Sequence, residues 1–115
     1  TVKSVQVSDP ALFATRDLAP RASVYPYEEW NELARTRPEQ APAMWNTLEY
    51  FDPLYFAPRV TADVWLSVGQ PGSIFSRVTA APLAAAVAGN VDVDERTGYG
   101  LLDYRRAIAW RNEHS

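Results

Sequence analysis

Few side chains in this sequence could serve as an acid, a base or a nucleophile. Among its 115 residues there is one His, His114, and no Cys. Disulfides, thiolate chemistry, Cys/His zinc sites and haem attachment motifs are therefore excluded. Because chain ends usually fray, His114 is predicted to lie in a disordered tail rather than to act as a catalytic base. The sequence predicts no metal site and no cofactor.

Three neighbouring acidic residues could form an acid pair or a cation site. Asp92, Asp94 and Glu95 lie in or beside a β-prone run, and Arg96 follows them. Acidic residues that alternate along a strand usually form a solvated face, which is the prediction here. Thr1 could in principle use its own amine as a base, but no accompanying feature supports such a nucleophile.

Two turn carboxylates and most of the Trp residues are predicted to be structural. Asp9 and Asp52 each precede a Pro, in turns where a short carboxylate commonly bonds the local backbone. Trp side chains can stack on sugar rings, but three of the four lie on helical stripes or in an apolar strand. These three are predicted to pack in the core: Trp30, Trp45 and Trp65. Trp110 is predicted to face a partner.

Composition indicates a folded chain without a strong electrostatic partner. Hydrophobic residues make up 47% of it, and eleven Lys and Arg residues are scattered over a chain of net charge −3. Nucleic acid is not a predicted partner, because no basic stripe could follow a phosphate backbone. No run approaches the roughly 18 to 20 apolar residues of a membrane helix, so no membrane partner is predicted. Without a visible signal peptide, the default prediction is a cytoplasmic location.

Hydrophobic periodicity predicts strands that alternate with helices in a single domain over residues 1–115. Short apolar or alternating runs predict strands over 2–7, 64–68 and 91–94. Stripes at helical spacing predict a helical hairpin over 25–48, an Ala-rich helix over 78–88 and a last helix over 101–111. Pro82 would suit a first turn or a kink better than the middle of its helix. Crossovers longer than about 10 residues favour parallel β-α-β units of the α/β class.

A resemblance to a known family is carried by segments whose order and spacing agree with it. They are Tyr25-Pro26-Tyr27-Glu28-Glu29, Thr47-Leu48-Glu49-Tyr50-Phe51-Asp52, Phe56-Ala57-Pro58-Arg59-Val60 and Ser67-Val68-Gly69. These segments resemble the acetylxylan esterase and cephalosporin C deacetylase family, and Ser8-Asp9-Pro10 resembles more weakly the turn after its sixth strand. The likeness implies the C-terminal third of an α/β-hydrolase fold. Such a part would hold about three parallel strands, flanking helices and a helical hairpin insertion.

The resemblance also implies that the catalytic groups are missing from this chain. The family uses a Ser-Asp-His triad, and its Ser lies on a Gly-x-Ser-x-Gly elbow that would precede the first residue here. The family's Asp position corresponds to Gly72, and its His position to Tyr99. Gly supplies no carboxylate and a phenol is a poor general base at neutral pH, so no catalytic residue is predicted. Tyr50 and Phe51 are the predicted substrate-cleft residues.

Two functional hypotheses follow. The first is a non-catalytic hydrolase-like subunit that completes the sheet of a companion polypeptide. The second is part of an active split carbohydrate or acyl esterase whose companion supplies the reacting groups. A short parallel sheet leaves an open edge, so the predicted partner is a companion hydrolase-like polypeptide or a second copy of the chain. A third hypothesis is a decayed gene product without function.

Overall fold

The fold is built on a small parallel sheet. A computed structural model describes residues 1–96 and 104–115 of the chain. Within these ranges the sheet has three strands in the order β1-β2-β3: β1 Ser4–Ser8, β2 Asp63–Val68 and β3 Val91–Glu95. Both strand pairs are parallel. The prediction of about three parallel strands of the α/β class is therefore confirmed.

The central strand, β2, determines which residues lie on each face of the sheet. Its residues 64–68 are all buried, which explains their nearly continuous apolar sequence. In-register neighbours form a row of side chains on one face of the sheet. Because side chains alternate along a strand, successive rows lie on opposite faces. One row is aliphatic, with Val7, Leu66 and Val93; the next is polar and aromatic, with Gln6, Trp65 and Asp92. We call these the aliphatic face and the polar face.

The helix α4, Arg77–Ala86, covers the aliphatic face. Its Ala80 lies in one buried cluster with Leu66 and Val68 of the central strand. A small residue at this position lets the helix approach the sheet closely. The helix therefore shields the apolar side chains of β2 from water on this side.

Two residues affect the backbone hydrogen bonds of α4. Ser76 precedes the helix, and its hydroxyl accepts a hydrogen bond from the backbone N–H of Thr79 at 3.3 Å. Pro82 lies inside the helix rather than in its first turn or at a break. The carbonyl that loses its helical partner belongs to Val78, whose side chain is exposed, so water can reach this turn.

The helix α5, Tyr104–Glu113, covers the polar face. The Trp110 indole stacks on Trp65 with ring centroids 6.4 Å apart, and its N–H donates to the Asp92 carboxylate at 2.7 Å. The Gln6 side-chain amide donates to the backbone carbonyl of Ala107 at 2.5 Å. Aromatic stacking and directed hydrogen bonds thus hold α5 on the sheet.

Three predictions about this face are wrong, because α5 covers it. The predicted solvated acidic face is wrong for Asp94, which is buried and ion-paired with Arg106, whereas Asp92 is exposed as predicted. Trp110 is buried against the sheet of its own chain rather than turned to a partner. His114 does not fray, since its ring stacks on Trp110 at a centroid distance of 4.1 Å and its Nε2 lies 3.9 Å from an oxygen of Asp92.

Residues 12–53 form a compact unit of helices. It contains α1 Thr15–Leu18, α2 Tyr27–Thr36 and α3 Ala41–Tyr50, the last two being the predicted hairpin. Asp52 is buried and accepts the Thr15 backbone N–H at 3.0 Å, where α1 begins. As predicted, this carboxylate bonds the backbone, although its partner is distant in sequence rather than local.

The sheet and its two covering helices belong to the other compact unit, residues 1–11 with 54–115. Whether residues 1–115 fold as one domain stays a prediction. None of the helices in residues 1–96 and 104–115 has the length and apolar character that crossing a membrane requires. The last helix begins at Tyr104, within the predicted range 101–111, and residues 97–103 lie outside the described part of the chain.

A pair of substitutions distinguishes the two buried serines of this unit. The Ser67 hydroxyl is buried and has no hydrogen-bond partner among the described residues. Ser67→Ala should therefore raise the free energy of unfolding by about 1 kcal/mol, because it removes an unsatisfied polar group. Ser76→Ala should lower it by about 1 kcal/mol, because α4 loses its cap.

Urea unfolding measures both effects, provided that the slope of the unfolding free energy against urea concentration is the same for all variants. A loss of stability in Ser67→Ala as large as that in Ser76→Ala would contradict the assignment of Ser67 as unsatisfied.

Candidate functional site

A single arginine links the carboxyl ends of all three strands, the region where α/β proteins place functional residues. Arg96 directly follows β3, and its Nε and backbone N–H both donate to the Val68 carbonyl at the end of β2, at 3.3 and 2.9 Å. Its Nη2 forms an ion pair with the Asp9 carboxylate, immediately after β1. We call this set of contacts the strand-end clamp.

The burial of the strand-end clamp indicates a structural role. The Arg96 side chain is 6% exposed and that of Asp9 38%. A buried guanidinium without partners is costly, so Arg96 requires both the carboxylate and the carbonyl. Asp9 takes a backbone φ of 49°, which Asp adopts more readily than most residues. The sequence predicted that the Asp9 carboxylate bonds the local backbone. This prediction is wrong, because the carboxylate bonds Arg96, 87 positions away.

The buried Ser of β2 is not placed for nucleophilic chemistry. Ser67 lies in register between Ser8 and Asp94 and is fully buried. The His114 ring nitrogens lie near the Trp110 carbonyl and the Asp92 carboxylate instead. A Ser hydroxyl needs a base within hydrogen-bond reach to react. The described residues contain no Ser hydroxyl bonded to an imidazole.

The loop after β2 carries Gly72, which the sequence resemblance assigns to the family's Asp position, and this assignment stays a prediction. Gly72 is exposed, has a backbone φ of +85°, and would meet no heavy atom within 4 Å if it carried a Cβ. The turn therefore needs Gly for its conformation and not for space. The other position that the resemblance singled out, Tyr99, lies outside the described residues, so its role stays a prediction.

The predicted cleft residues Tyr50 and Phe51 lie at the end of α3, in the helical unit. Their rings contact edge to face at a centroid distance of 5.2 Å, and the residues are 77% and 71% exposed. Such a pair offers an apolar surface on which a ring could stack. The structure brings these two residues together, and their role in a cleft stays a prediction.

Metal binding finds no support in the described part of the chain. Residues 1–96 and 104–115 contain no group of three His, Asp or Glu side chains that could hold an ion.

Among residues 1–96 and 104–115, no strand pairs with the outer edge of β1. The Lys3 carbonyl and the Asp9 N–H bond to β2, so the odd-numbered residues of β1 face β2 and the even-numbered residues face outward. The outward set is Ser4, Gln6 and Ser8. Among the described residues, the backbone N–H and C=O groups of these three have no partner. An unpaired strand edge is a ready template for another chain.

The outer edge of β3 is guarded. Val64 N–H bonds the Asn90 carbonyl, which turns Val91, Val93 and Glu95 outward by the same alternation. Arg77 donates to the outward Val93 carbonyl at 3.4 Å and lies 3.8 Å from the Glu95 carboxylate. The other outward backbone groups of Val91, Val93 and Glu95 have no partner among the described residues, so this edge is guarded by charge, which disfavours further pairing without filling the edge. The two edges of the sheet therefore differ.

Two solved structures with the same arrangement of elements are acetyl xylan esterases. The enzyme from Paenibacillus sp. R4 matches with a TM-score of 0.77 and 23% identity over 96% of this chain and 36% of its own. Acetyl xylan esterase 1 from Thermoanaerobacterium sp. JW/SL YS485 matches with a TM-score of 0.75 and 20% identity, over 96% of this chain and 37% of its own. The chain thus spans about a third of these proteins. No protein-family model and no curated protein matches it.

The chain carries a partial α/β-hydrolase fold of the acetylxylan esterase type. The resemblance inferred from sequence is confirmed at the level of the fold. At these identities the match concerns the fold alone.

Sequence reasoning missed the strand-end clamp and the difference between the two edges. Arg96 was visible only as a neighbour of three acidic residues, and nothing local indicates a partner as distant as Asp9. A usable signal for the open edge was present in β1, where polar residues alternate with Val and no charge interrupts the strand.

The clamp can be tested by removing its cation. Arg96→Leu should lower the free energy of unfolding by about 2 to 3 kcal/mol, because a buried, charge-assisted pair is lost. Arg77→Leu is the matched control and should cost less than about 1 kcal/mol, because its side chain is 56% exposed. Chemical denaturation measures both. Equal effects would argue against a special role for Arg96.

The loop position can be tested by introducing a carboxylate. Gly72→Ala should cost about 1 kcal/mol, because its positive φ strains any residue with a Cβ. Gly72→Asp should cost less than Gly72→Val, because Asp tolerates this region better than a β-branched residue. Gly72→Asp should still release no acetate from an aryl acetate, since a carboxylate without a Ser nucleophile and a base cannot act. Turnover by Gly72→Asp alone would overturn this account of the loop.

Proposed function

We propose that the chain is a non-catalytic α/β-hydrolase-like subunit whose sheet is completed by a companion polypeptide. The companion would add strands to the outer edge of β1 and continue the parallel sheet. The observation that carries this proposal is the open row of Ser4, Gln6 and Ser8 on one edge, opposite an edge guarded by Arg77.

The comparison of lengths supports the same proposal. Acetyl xylan esterases with this fold contain the matched part within a chain about three times as long. A companion with the remaining strands would therefore suit the open edge. It would also bury the backbone groups that β1 now exposes, which favours association.

The non-catalytic character is supported by the strand ends. Where a hydrolase would hold its reacting groups, this chain has the strand-end clamp and an exposed Gly72. The clamp joins Arg96 and Asp9 in an ion pair, so these charges hold the strands together. A pseudoenzyme of this kind would stabilise the companion or lend it a binding surface.

A second candidate function is a split esterase in which the companion supplies the Ser, Asp and His. It is favoured by the exposed pair Tyr50 and Phe51, which could receive a sugar ring or an acyl group. The fold of the two neighbours agrees with this candidate as well. In this case the chain would complete the enzyme without contributing a reacting group.

Co-expression with the product of an adjacent reading frame that encodes five strands and a Gly-x-Ser-x-Gly elbow tests both candidates. Native mass spectrometry should give a one-to-one complex. Ser8→Pro removes an outward N–H at the end of β1 and should raise the dissociation constant of the complex about tenfold. Glu95→Pro, at the end of β3, should leave that constant unchanged. A complex that is indifferent to Ser8→Pro would contradict pairing at β1.

Acetate release from an acetylated sugar and from an aryl acetate separates the two candidates. The chain alone should give none. A complex without activity supports the non-catalytic subunit, and an active complex supports the split esterase. Failure to bind such a companion would contradict both candidate functions.

A further inference from the structure

The open edge strand has the same sequence in both directions. β1 is Ser4-Val5-Gln6-Val7-Ser8. A two-fold axis through its middle residue would set each side chain opposite an identical or equivalent one. Closed dimers are built on such self-complementary surfaces. The palindrome therefore points to a second copy of this chain as an occupant of the edge.

We propose that, in the absence of a companion, β1 pairs antiparallel with β1 of a second copy, with the two-fold axis at Gln6. Ser4 then lies opposite Ser8 of the copy, and Gln6 lies opposite itself. All three residues turn their free N–H and C=O groups outward. Each directly opposed pair of this kind exchanges two hydrogen bonds, so the joint forms about six.

The side chains across this joint are compatible. On the aliphatic face Val5 lies opposite Val7 of the copy, and both are only partly buried in a single chain. On the polar face two Ser–Ser pairs flank the two Gln6 side chains, each of which donates to the Ala107 carbonyl of its own chain. Apolar pairs and uncharged hydrogen-bonding pairs stabilise neighbouring strands, and no like charges oppose each other within β1.

The helix above the polar face offers a second matching surface. Arg106 of α5 reaches Asp94 on β3, so this flank of the helix points away from β1. Tyr104 and Ile108, one turn apart, lie on the opposite flank and are 71% and 47% exposed. A two-fold axis at Gln6 brings these flanks of the two copies towards each other above the joined strands. Their apolar groups would lose water on association.

The other edge does not offer an equivalent joint. A two-fold axis at Val93 would place Asp92 opposite Asp94 of the copy, which opposes like charges. Arg77 also occupies the outward Val93 carbonyl. Because like charges and Arg77 disfavour pairing at β3, we expect association to favour a closed dimer over a filament.

This inference needs only the chain itself and does not rest on a companion. A companion that binds β1 would compete with the second copy for Ser4, Gln6 and Ser8. The homodimer would then be the form of the chain before assembly. Failure to dimerise and failure to bind a companion are separate results.

Sedimentation equilibrium of the purified chain should give a mass twice that of the monomer, with dissociation on dilution. Gln6→Lys and Gln6→Glu each place like charges opposite one another at the axis and should raise the dissociation constant at least about fivefold. Mixing the two variants should restore association as a heterodimer. Glu95→Lys, on the guarded edge, is the control and should leave the dissociation constant unchanged.

Cysteine cross-linking tests the register, because the chain has no Cys of its own. Under mild oxidation Gln6→Cys should cross-link to itself, since directly opposed hydrogen-bonded residues lie about 5.5 Å apart at Cα, within disulfide range. Ser4→Cys should not cross-link to itself but should do so with Ser8→Cys. A monomer at every concentration, or efficient self-cross-linking of Ser4→Cys, would overturn the proposal.

Discussion

The sheet depends on keeping the central strand dry on both faces. Residues 64–68 of β2 are all buried, and this requires a helix on each side. On the aliphatic face Ala80 of α4 meets Leu66 and Val68, and on the polar face the indole of Trp110 lies on Trp65. With both faces occupied, further polypeptide can join the sheet only along its edges. In the proposals made for this chain, the asymmetry between β1 and β3 therefore decides where a partner joins the sheet.

The described strand ends are consistent with the proposed non-catalytic subunit. The carboxyl ends of parallel strands are where such folds place reacting groups, because loops there can converge on a substrate. In this chain Arg96 fills that region with contacts to Asp9 and the Val68 carbonyl. Groups committed to holding three strands together are not free to move a proton. In the split-esterase candidate, the companion would supply what the chemistry needs.

The sequence was sufficient to predict most helices and strands, but it was insufficient to predict the long-range contacts between them. The continuous apolar run of β2 and the stripes of α2 and α3 were enough to place a buried strand and a helical hairpin. The alternation in β3 was interpreted as one wet face, because a pattern of period two cannot tell whether a helix such as α5 covers the polar side. The four-residue α1 has no period to detect, and its carboxylate partner Asp52 lies 37 positions away.

The central claim is that the outward residues of β1 are free to pair while the inward residues are already paired. Amide hydrogen exchange of the isolated chain, followed by NMR over a dilution series, measures this most directly. At high dilution the amides of Gln6 and Ser8 should exchange fast and those of Val5 and Val7 slowly; at high concentration Gln6 and Ser8 should become protected. Equally slow exchange of all four at every concentration would contradict an open edge.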